Sequence, residues 1–413
     1  MNVSRRTLLA ALAAAAGCAT GPQAGRGVRQ DERSGAAGAA SGAPVAAGAS
    51  TGVVIERADG SVRLFDARTR AWLARIEGLG DLSHASLVFS RDARHAYVFG
   101  RDGGLSRIDL VERRLTGRVL QAGNAIGGAI SKDGRVLAVA NYEPGGVRLF
   151  DARTLEPLAE IASTYGDGGR RSKVVGIADA PGNRFVFSLF DADAIWVADV
   201  TDPRRPVVRK HERIGRAPYD ALILPDGRHY VAGLFGEDGL ALLDLSDPQA
   251  RVRHILSGYG QGQQKLPVYK MPHLRGWALA GDRAFLPAIG RHEVLVVDRR
   301  DWRQVGTVAV QGQPVFVMAR PDGRQVWVNF AHPKNDVVQV IDVQALQVTH
   351  TLSPGRAIMH MEFSADSGEA WVSARDDDRV VVFDTASLER RAELPARSPS
   401  GIFMPWRAKV IGL

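Results

Sequence analysis

The sequence predicts an all-β fold, an eight-bladed β-propeller, from a repeat that runs along the chain. Short apolar segments such as Val62–Asp66 and Val147–Asp151 each end in an aspartate, and consecutive aspartates are 42 to 54 residues apart. Several strands in a repeat of this length are typical of a propeller blade. The repeated aspartates are Asp66, Asp109, Asp151, Asp199, Asp244, Asp298, Asp342 and Asp384. Eight copies predict eight blades.

Tight turns and a closing strand support this architecture. Asp133-Gly134 and Asp322-Gly323 stand between predicted strands, where glycine supplies the positive φ that such turns need. A single blade cannot bury both of its faces, so the blades must stack in a ring. We expect Ser400–Phe403 to provide the innermost strand of the blade whose outer strands lie within residues 52–77. Residues 51–413 would then form one closed propeller.

The first fifty residues carry features of export. Arg5-Arg6 and the apolar run after it resemble a twin-arginine signal, and the run is too short to span a bilayer. Ala15–Cys18 resembles a lipoprotein cleavage box, which makes Cys18 the predicted lipidated residue; cleavage that discards Cys18 is the alternative. Residues 1–18 are thus a predicted export signal, and residues 19–50, rich in Gly, Ala and Ser, a predicted flexible linker. The expected location is the periplasm, with a lipid anchor in a membrane.

Composition excludes several kinds of site. Cys18 is the one cysteine, so a disulfide framework and cysteine-based zinc or iron–sulfur sites are excluded, as is covalent haem attachment through Cys-x-x-Cys-His. No basic stripe interleaved with aromatic residues indicates nucleic acid. The net charge of +8 is explained either by a genomic preference for arginine or by a ligand that carries several carboxylates.

Propeller geometry sorts the ten histidines. Connections between blades, and loops between the second and third strands of a blade, open at one end of the central channel, which we call the mouth. The aspartate turns lie at the opposite end, which we call the far end. Histidines predicted at the mouth are His84, His273, His292, His332 and His360, and those predicted elsewhere are His95, His211, His229, His254 and His350. The mouth is therefore the predicted ligand site.

Arginine accumulates at the same predicted mouth. The two longest gaps between repeated aspartates, of 48 and 54 residues, place extra loop length there, and such loops are usually functional. We expect Arg170-Arg171 in the first gap, with Arg101 and Arg375, to bind ligand carboxylates through bidentate guanidinium contacts; a solvated run of charge is the alternative for the loop. Other polar or aromatic candidates are Asn141, Tyr142, Tyr219, Asn329 and Trp277. Histidine with arginine suits a planar anionic ligand with a metal centre, such as an iron tetrapyrrole.

Several strings resemble a known family. His84–Ser86, followed by Val98–Gly104 and Ile108–Leu110, resembles the haem d1 propeller of cytochrome cd1 nitrite reductase, as does the C-terminal part from Ser398 to Leu413. Haem d1 biosynthesis proteins with the same propeller resemble residues 51–413 more closely. The strings that carry this resemblance are Gly80–His84, Asp179–Phe185, Met271–Leu274, Gly312–Val317 and His360–Phe363.

The resemblance implies roles for individual residues. In the reductases the histidine at the position of His84 is the proximal axial ligand of the d1 iron, which implies the same role in this chain. It also implies that His273 is a distal base or second ligand, so His84 and His273 are the candidate catalytic residues. Arg101 matches an arginine that contacts haem carboxylates, whereas Leu87 replaces another arginine. Val315 stands in place of a second distal histidine, and no cytochrome c domain is recognised, which argues against nitrite reduction.

The resemblance therefore implies a protein of haem d1 assembly that binds haem d1 or its dihydro precursor. It would be an enzyme that modifies a ring substituent, or a carrier that passes the tetrapyrrole to d1-haem dehydrogenase and to cytochrome cd1 nitrite reductase. A scaffold propeller that binds another protein is the remaining hypothesis. Pairing of two propellers as a homodimer stays open. The expected tetrapyrrole-binding residues are His84, Arg101, Asn141, Tyr142, Arg170, Arg171, His273 and Arg375.

Overall fold

The computed structural model describes residues 50–259, 276–288 and 291–412. These residues form eight four-stranded antiparallel sheets, and each sheet is one blade of a propeller. The predicted all-β, eight-bladed architecture is confirmed. Residues 1–49, which include Cys18, lie outside the described residues, so the export signal and the lipid anchor stay predictions. Among the described residues no helix is long and apolar enough to cross a membrane.

The strands of each blade are named in order from the channel outwards. Blade 1 contains Pro399–Phe403, Thr51–Glu56, Ser61–Asp66 and Ala71–Ile76. Blade 2 contains Ser86–Phe89, His95–Phe99, Gly104–Asp109 and Arg114–Leu120. Blade 3 contains Asn124–Ile130, Val136–Glu143, Val147–Asp151 and Pro157–Ile161. Blade 4 contains Val174–Ala180, Arg184–Leu189, Ala194–Asp199 and Val207–Glu212.

The other four blades follow the same order. Blade 5 contains Pro218–Ile223, His229–Leu234, Leu240–Asp244 and Arg253–Ile255. Blade 6 contains Ala278–Ala280, Arg283–Ala288, Glu293–Asp298 and Arg303–Ala309. Blade 7 contains Pro314–Ala319, Gln325–Phe330, Val338–Asp342 and Gln347–Leu352. Blade 8 contains Ile358–Phe363, Glu369–Ala374, Arg379–Asp384 and Arg390–Pro395. A small hairpin of Thr164–Tyr165 and Arg170–Arg171 projects from the connection between blades 3 and 4, and 3-10 turns occur at Arg375–Asp377 and Pro405–Lys409.

The repeated aspartates have a common structural role. Asp151 Oδ1 accepts hydrogen bonds from the backbone N–H groups of Arg153 and Thr154, at 2.9 and 2.8 Å. Asp384 accepts the equivalent pair from Ala386 and Ser387, at 2.9 and 2.7 Å. The carboxylate thus satisfies donors that the turn leaves unpaired, which explains why aspartate recurs at the end of the third strand.

Apolar side chains hold neighbouring blades together. Phe65 of blade 1 stacks on Trp371 of blade 8 with ring centroids 4.3 Å apart, and Trp327 of blade 7 meets Phe363 of blade 8 edge to face at 5.6 Å. The second and third strands are almost wholly buried in these interfaces, whereas outer strands such as Val207–Glu212 are largely exposed. The core is therefore a ring of interfaces between blades.

Strands from the two ends of the propeller meet in blade 1. Val53 lies opposite Phe403 and Val54 opposite Ile402, in antiparallel register with an irregularity before Glu56. The backbone N–H of Arg397 also donates to the buried carboxylate of Glu56 at 2.8 Å. Blade 1 is thus the seam of the ring, where the last strand of the chain pairs with the first.

The segment after the last strand crosses the far end of the channel. Arg91 of blade 2 donates to the carbonyl of Ala408 at 3.1 Å, and the Gly412 N–H donates to Asp179 of blade 4 at 2.8 Å. Arg407 pairs with Glu362 of blade 8 at 2.7 Å. Residues 404–412 are therefore tied to three separate blades at the end of the channel that is remote from the mouth.

Candidate functional site

His84 lies at the mouth, in the connection that leads from blade 1 into blade 2. The loop around it is fixed by local bonds: the Ser83 N–H donates to Asp81 at 2.8 Å, and the Arg57 guanidinium donates to the Ser83 carbonyl. Burial lowers the pKa of His84 to about 4, and the positive charges of Arg101 and Arg57 contribute to this shift. The imidazole is therefore neutral at neutral pH, the form that binds a metal.

Two arginines, Arg57 and Arg101, act electrostatically on this histidine, and a third, Arg375, acts on Arg57. Burial and the charges of Arg375 and Arg101 lower the pKa of Arg57, whereas the carboxylates of Asp81 and Asp376 oppose this shift. Arg375 is bound by its neighbour Asp376, at 2.6 and 3.2 Å. Neither Arg57 nor Arg101 forms a direct ion pair with a carboxylate among the described residues, although the charges of both contribute to lowering the pKa of Asp81. We call His84, Arg57, Arg101 and Arg375 the cationic cluster.

Arg57 was not among the residues that the sequence predicted. It directly follows the second strand of blade 1, just as Arg375 directly follows the second strand of blade 8 and Arg101 comes two residues after that of blade 2. The signal was therefore present in the repeat. An arginine at this loop position in three consecutive blades, two of them already candidates, would have identified the third.

An aromatic cluster occupies the same loop position in the next three blades. Tyr142 lies near the end of the second strand of blade 3, and Phe190 and Phe235 directly follow those of blades 4 and 5. Tyr219, in the innermost strand of blade 5, completes the cluster, and its hydroxyl lies 2.7 Å from the Tyr142 hydroxyl. Its ring centroid is 5.8 Å from those of both phenylalanines. We call these four residues the aromatic cluster.

The other sequence candidates have mainly structural contacts. Asn141 is buried and exchanges two hydrogen bonds with Gln121, at 2.8 and 3.2 Å. Arg171 donates to the carbonyls of Ala162 and Gly145, at 3.1 and 3.0 Å, and pairs with Glu160. These contacts fix the base of the hairpin between blades 3 and 4.

Arg170, beside Arg171, remains exposed, and its guanidinium lies 4.9 Å from the centroid of the Tyr165 ring. Asn329 is buried between blades, where it accepts from the Phe316 N–H at 2.8 Å and donates to the Ile358 carbonyl at 3.0 Å. Trp277 is buried in the core next to blade 6. Of these three residues, Arg170 is the one with an exposed, charged side chain.

The remaining histidines of the mouth differ in environment. His360 is buried in the innermost strand of blade 8, and its Nδ1 accepts the Ile402 N–H at 3.2 Å. His292 and His332 are exposed in loops of blades 6 and 7. His273 lies outside the described residues, so its predicted role on the distal side stays a prediction.

The cationic cluster fits a metal that arrives with ligands of its own. Among the described residues no group of three His, Cys, Asp or Glu side chains is placed to hold a metal ion. A tetrapyrrole iron is already held by four ring nitrogens and needs one axial histidine, which a neutral His84 can provide. The peripheral carboxylates of such a ring are the natural partners of Arg57 and Arg101. The donor set therefore fits a carboxylated metallotetrapyrrole.

Comparisons with known proteins agree with this chemistry. Residues 48–408 match the family model described as "Cytochrome D1 heme domain". Protein NirF from Pseudomonas aeruginosa is 60% identical over 371 residues, which cover 90% of this chain and 95% of that protein. Dihydro-heme d1 dehydrogenase from the same organism is 31% identical over 84% of this chain and 70% of that protein.

A solved structure supports the same relationship. It is named "Dihydro-heme d1 dehydrogenase NirN in complex with DHE" and superimposes with a TM-score of 0.78 at 28% identity, over 88% of this chain and 77% of that one. The match extends over the eight blades described above and is not limited to a shared motif. The chain therefore belongs to the cytochrome D1 heme domain family and, within it, to the group that includes Protein NirF.

Proposed function

We propose that the chain binds a d1-type tetrapyrrole, haem d1 or its dihydro precursor, at the mouth of the propeller during haem d1 biosynthesis. One observation carries the proposal: Arg57 donates to the Ser83 carbonyl, next to His84 in the chain, and the charges of Arg57 and Arg101 act on the imidazole of His84, which burial keeps neutral. Arg57 is half-buried and Arg101 is exposed, and neither forms a direct ion pair with a carboxylate among the described residues, so both guanidinium groups can bind an anionic ligand. The family of the chain supports a ligand of this class.

Each residue has a distinct part in the proposed site. His84 would hold the iron of the tetrapyrrole, and the bound group would supply Lewis-acid and redox chemistry. Arg57 and Arg101 bind peripheral carboxylates, and Arg57 also holds the His84 loop through the Ser83 carbonyl. His273, which lies outside the described residues, is the proposed acid or base. The site thus fixes the ligand at its metal and at its edge.

We propose that the primary role is that of a carrier. The protein would hold the tetrapyrrole and pass it to d1-haem dehydrogenase and to cytochrome cd1 nitrite reductase. The groups described at the mouth suit binding and orientation of the ligand. Modification of a ring substituent is the alternative, and it requires His273 to act on the bound ligand.

An anaerobic titration tests both parts of the proposal. The purified protein would be titrated with dihydro-haem d1 and followed by visible absorption, beside His84→Ala and the control His350→Ala, which removes an exposed histidine from an outer strand. We expect saturable binding and a shifted iron spectrum in the wild type and in the control. The shift should be lost in His84→Ala, because the axial nitrogen is removed.

The outcomes separate the hypotheses. Absence of binding by the wild type would contradict the proposal and favour a scaffold role. An unchanged spectrum in His84→Ala would contradict the axial assignment alone. The ligand recovered after incubation would then be analysed by mass: an unchanged mass supports the carrier, and a changed mass supports the modifying enzyme.

A further inference from the structure

The aromatic cluster stands apart from the cores between the blades. Its members and Val175 form a small apolar cluster of their own, and Tyr142, Phe190 and Phe235 remain partly exposed at the mouth. The hydroxyls of Tyr142 and Tyr219 meet at 2.7 Å although they come from blades 3 and 5. The two tyrosines therefore bridge the innermost strand of blade 4 and place their oxygens together at the mouth.

The chemistry of this pair differs from that of the cationic cluster. A phenol hydroxyl donates one hydrogen bond and accepts two, and it is neutral at neutral pH. Lys173, whose ammonium lies 5.5 Å from the centroid of the Phe190 ring, is ion-paired with Asp191 at 2.9 Å. This side of the mouth thus offers neutral hydroxyls within an aromatic surface, where a neutral carbonyl or ester oxygen is favoured over a carboxylate.

The cationic cluster and the aromatic cluster lie on different sides of the channel. Arg57 belongs to blade 1 and Tyr219 to blade 5, which are four blades apart in a ring of eight and so face each other across the channel. A planar ligand that spans the mouth with its carboxylates at the cationic cluster would present its opposite edge to the aromatic cluster. A tetrapyrrole with unlike substituents at its two edges would therefore bind better in one rotational orientation than in the other.

We propose that Tyr142 and Tyr219 form a specificity site that recognises a neutral oxygen substituent on the edge of the tetrapyrrole opposite its carboxylates. The pair then sets the rotational orientation of the ring about the axis through His84. This inference rests on the proposed function, because it concerns the same ligand at the same mouth. The inference gives Tyr219, Phe190 and Phe235 a role in ligand binding that is separate from the binding of carboxylates by the arginines.

Two haems of similar size test the inference. Mesohaem carries two ethyl groups where 2,4-diacetyldeuterohaem carries two acetyl groups, so the pair differs in carbonyl oxygens while both keep two propionates. The Kd of each would be measured for the wild type and for the double variant Tyr142→Phe, Tyr219→Phe. We expect the ratio of the two Kd values to shift against the diacetyl compound by roughly three- to tenfold in the variant, the effect of one or two neutral hydrogen bonds.

A matched control separates this effect from a general loss of packing. Tyr97→Phe removes a buried hydroxyl that donates to the Ala152 carbonyl at 2.9 Å, away from the mouth, and should leave the ratio unchanged. If the double variant is too unstable to measure, the single variant Tyr142→Phe, at a partly exposed ring, gives the same readout. A ratio that stays at the wild-type value while both haems bind would overturn the inference alone. Failure of the wild type to bind either haem would instead contradict the proposed function, and this inference with it.

Discussion

The two ends of the channel use the same residue type for different purposes. At the far end Arg91 is paired with the buried Asp179 at 2.6 Å, and Arg407 with the buried Glu362 at 2.7 Å. At the mouth Arg57 and Arg101 have no such partner among the described residues. An arginine that is paired within the protein contributes to the fold, whereas one without a carboxylate is available to an anionic ligand. The partner therefore identifies the function better than the residue type does.

The largest expected effect is at the far end. Arg91→Ala leaves Asp179 buried without its cation, and loss of one member of a buried pair costs about 3–5 kcal/mol of the free energy of unfolding. Burial already raises the pKa of Asp179 although Arg91 opposes that shift. Denaturant unfolding would measure the loss. Arg135→Ala, which removes an exposed partner of Asp133, should cost no more than about 1 kcal/mol; equal losses in the two variants would show that burial of the carboxylate does not set the cost.

A smaller effect, of the opposite kind, is expected at the mouth. Arg101→Ala should weaken tetrapyrrole binding by about 1.5–3 kcal/mol, the value of a charge-assisted hydrogen bond, and should leave the free energy of unfolding nearly unchanged. Titration with the tetrapyrrole and denaturant unfolding of the same sample would measure both. Arg101→Lys keeps the positive charge but loses the bidentate geometry of the guanidinium, so its affinity for the tetrapyrrole should lie between those of the wild type and Arg101→Ala. Unchanged affinity in Arg101→Ala would show that this guanidinium does not contact the ligand.

The third effect concerns protons. His84 should titrate at about 4 in the ligand-free protein, and its pKa should rise towards the usual 6.5 in Arg101→Ala, because one of the repelling charges is removed. Since the unfolded state binds this proton more tightly, His84 should reduce the stability of the fold as the pH falls from about 6.5 towards 4. NMR titration of the imidazole would measure the pKa, and His84→Gln should lack this part of the pH dependence. Titration near 6.5 in the wild type would contradict the shielded environment of the site.

The fold could be predicted because its signal is local. Each repeated aspartate satisfies the turn that follows it, as Asp151 does for Arg153 and Thr154, so the same residue must recur at each blade. The period is then visible without any knowledge of long-range contacts. The mouth could be predicted for the same reason, since the position of a loop within the repeat decides at which end of the channel it lies.

Individual side chains at the mouth were harder to predict. Asn141 and Tyr142 are adjacent in sequence, yet the Asn141 amide is paired internally with Gln121 while the Tyr142 hydroxyl reaches Tyr219 of blade 5. Such partners depend on distant segments and leave no local signal. Arg57 was missed although it holds the same position in the repeat as Arg375, directly after the second strand of its blade. The string Asp179–Phe185, which helped to identify the family, includes Asp179, which holds the C-terminal segment at the far end.

The arginines of the cationic cluster come from blade 1, which contains the seam of the ring, and from the two blades beside it. Arg375, Arg57 and Arg101 come from blades 8, 1 and 2, and blade 1 is where strands from opposite ends of the propeller join. A ligand that contacts all three would connect the blades on either side of this junction. Under the proposed function, the free energy of ligand binding therefore also opposes separation of the terminal strand, and the loaded protein should resist opening of the ring more than the empty one. Binding of the ligand and closure of the propeller ring would then be thermodynamically coupled.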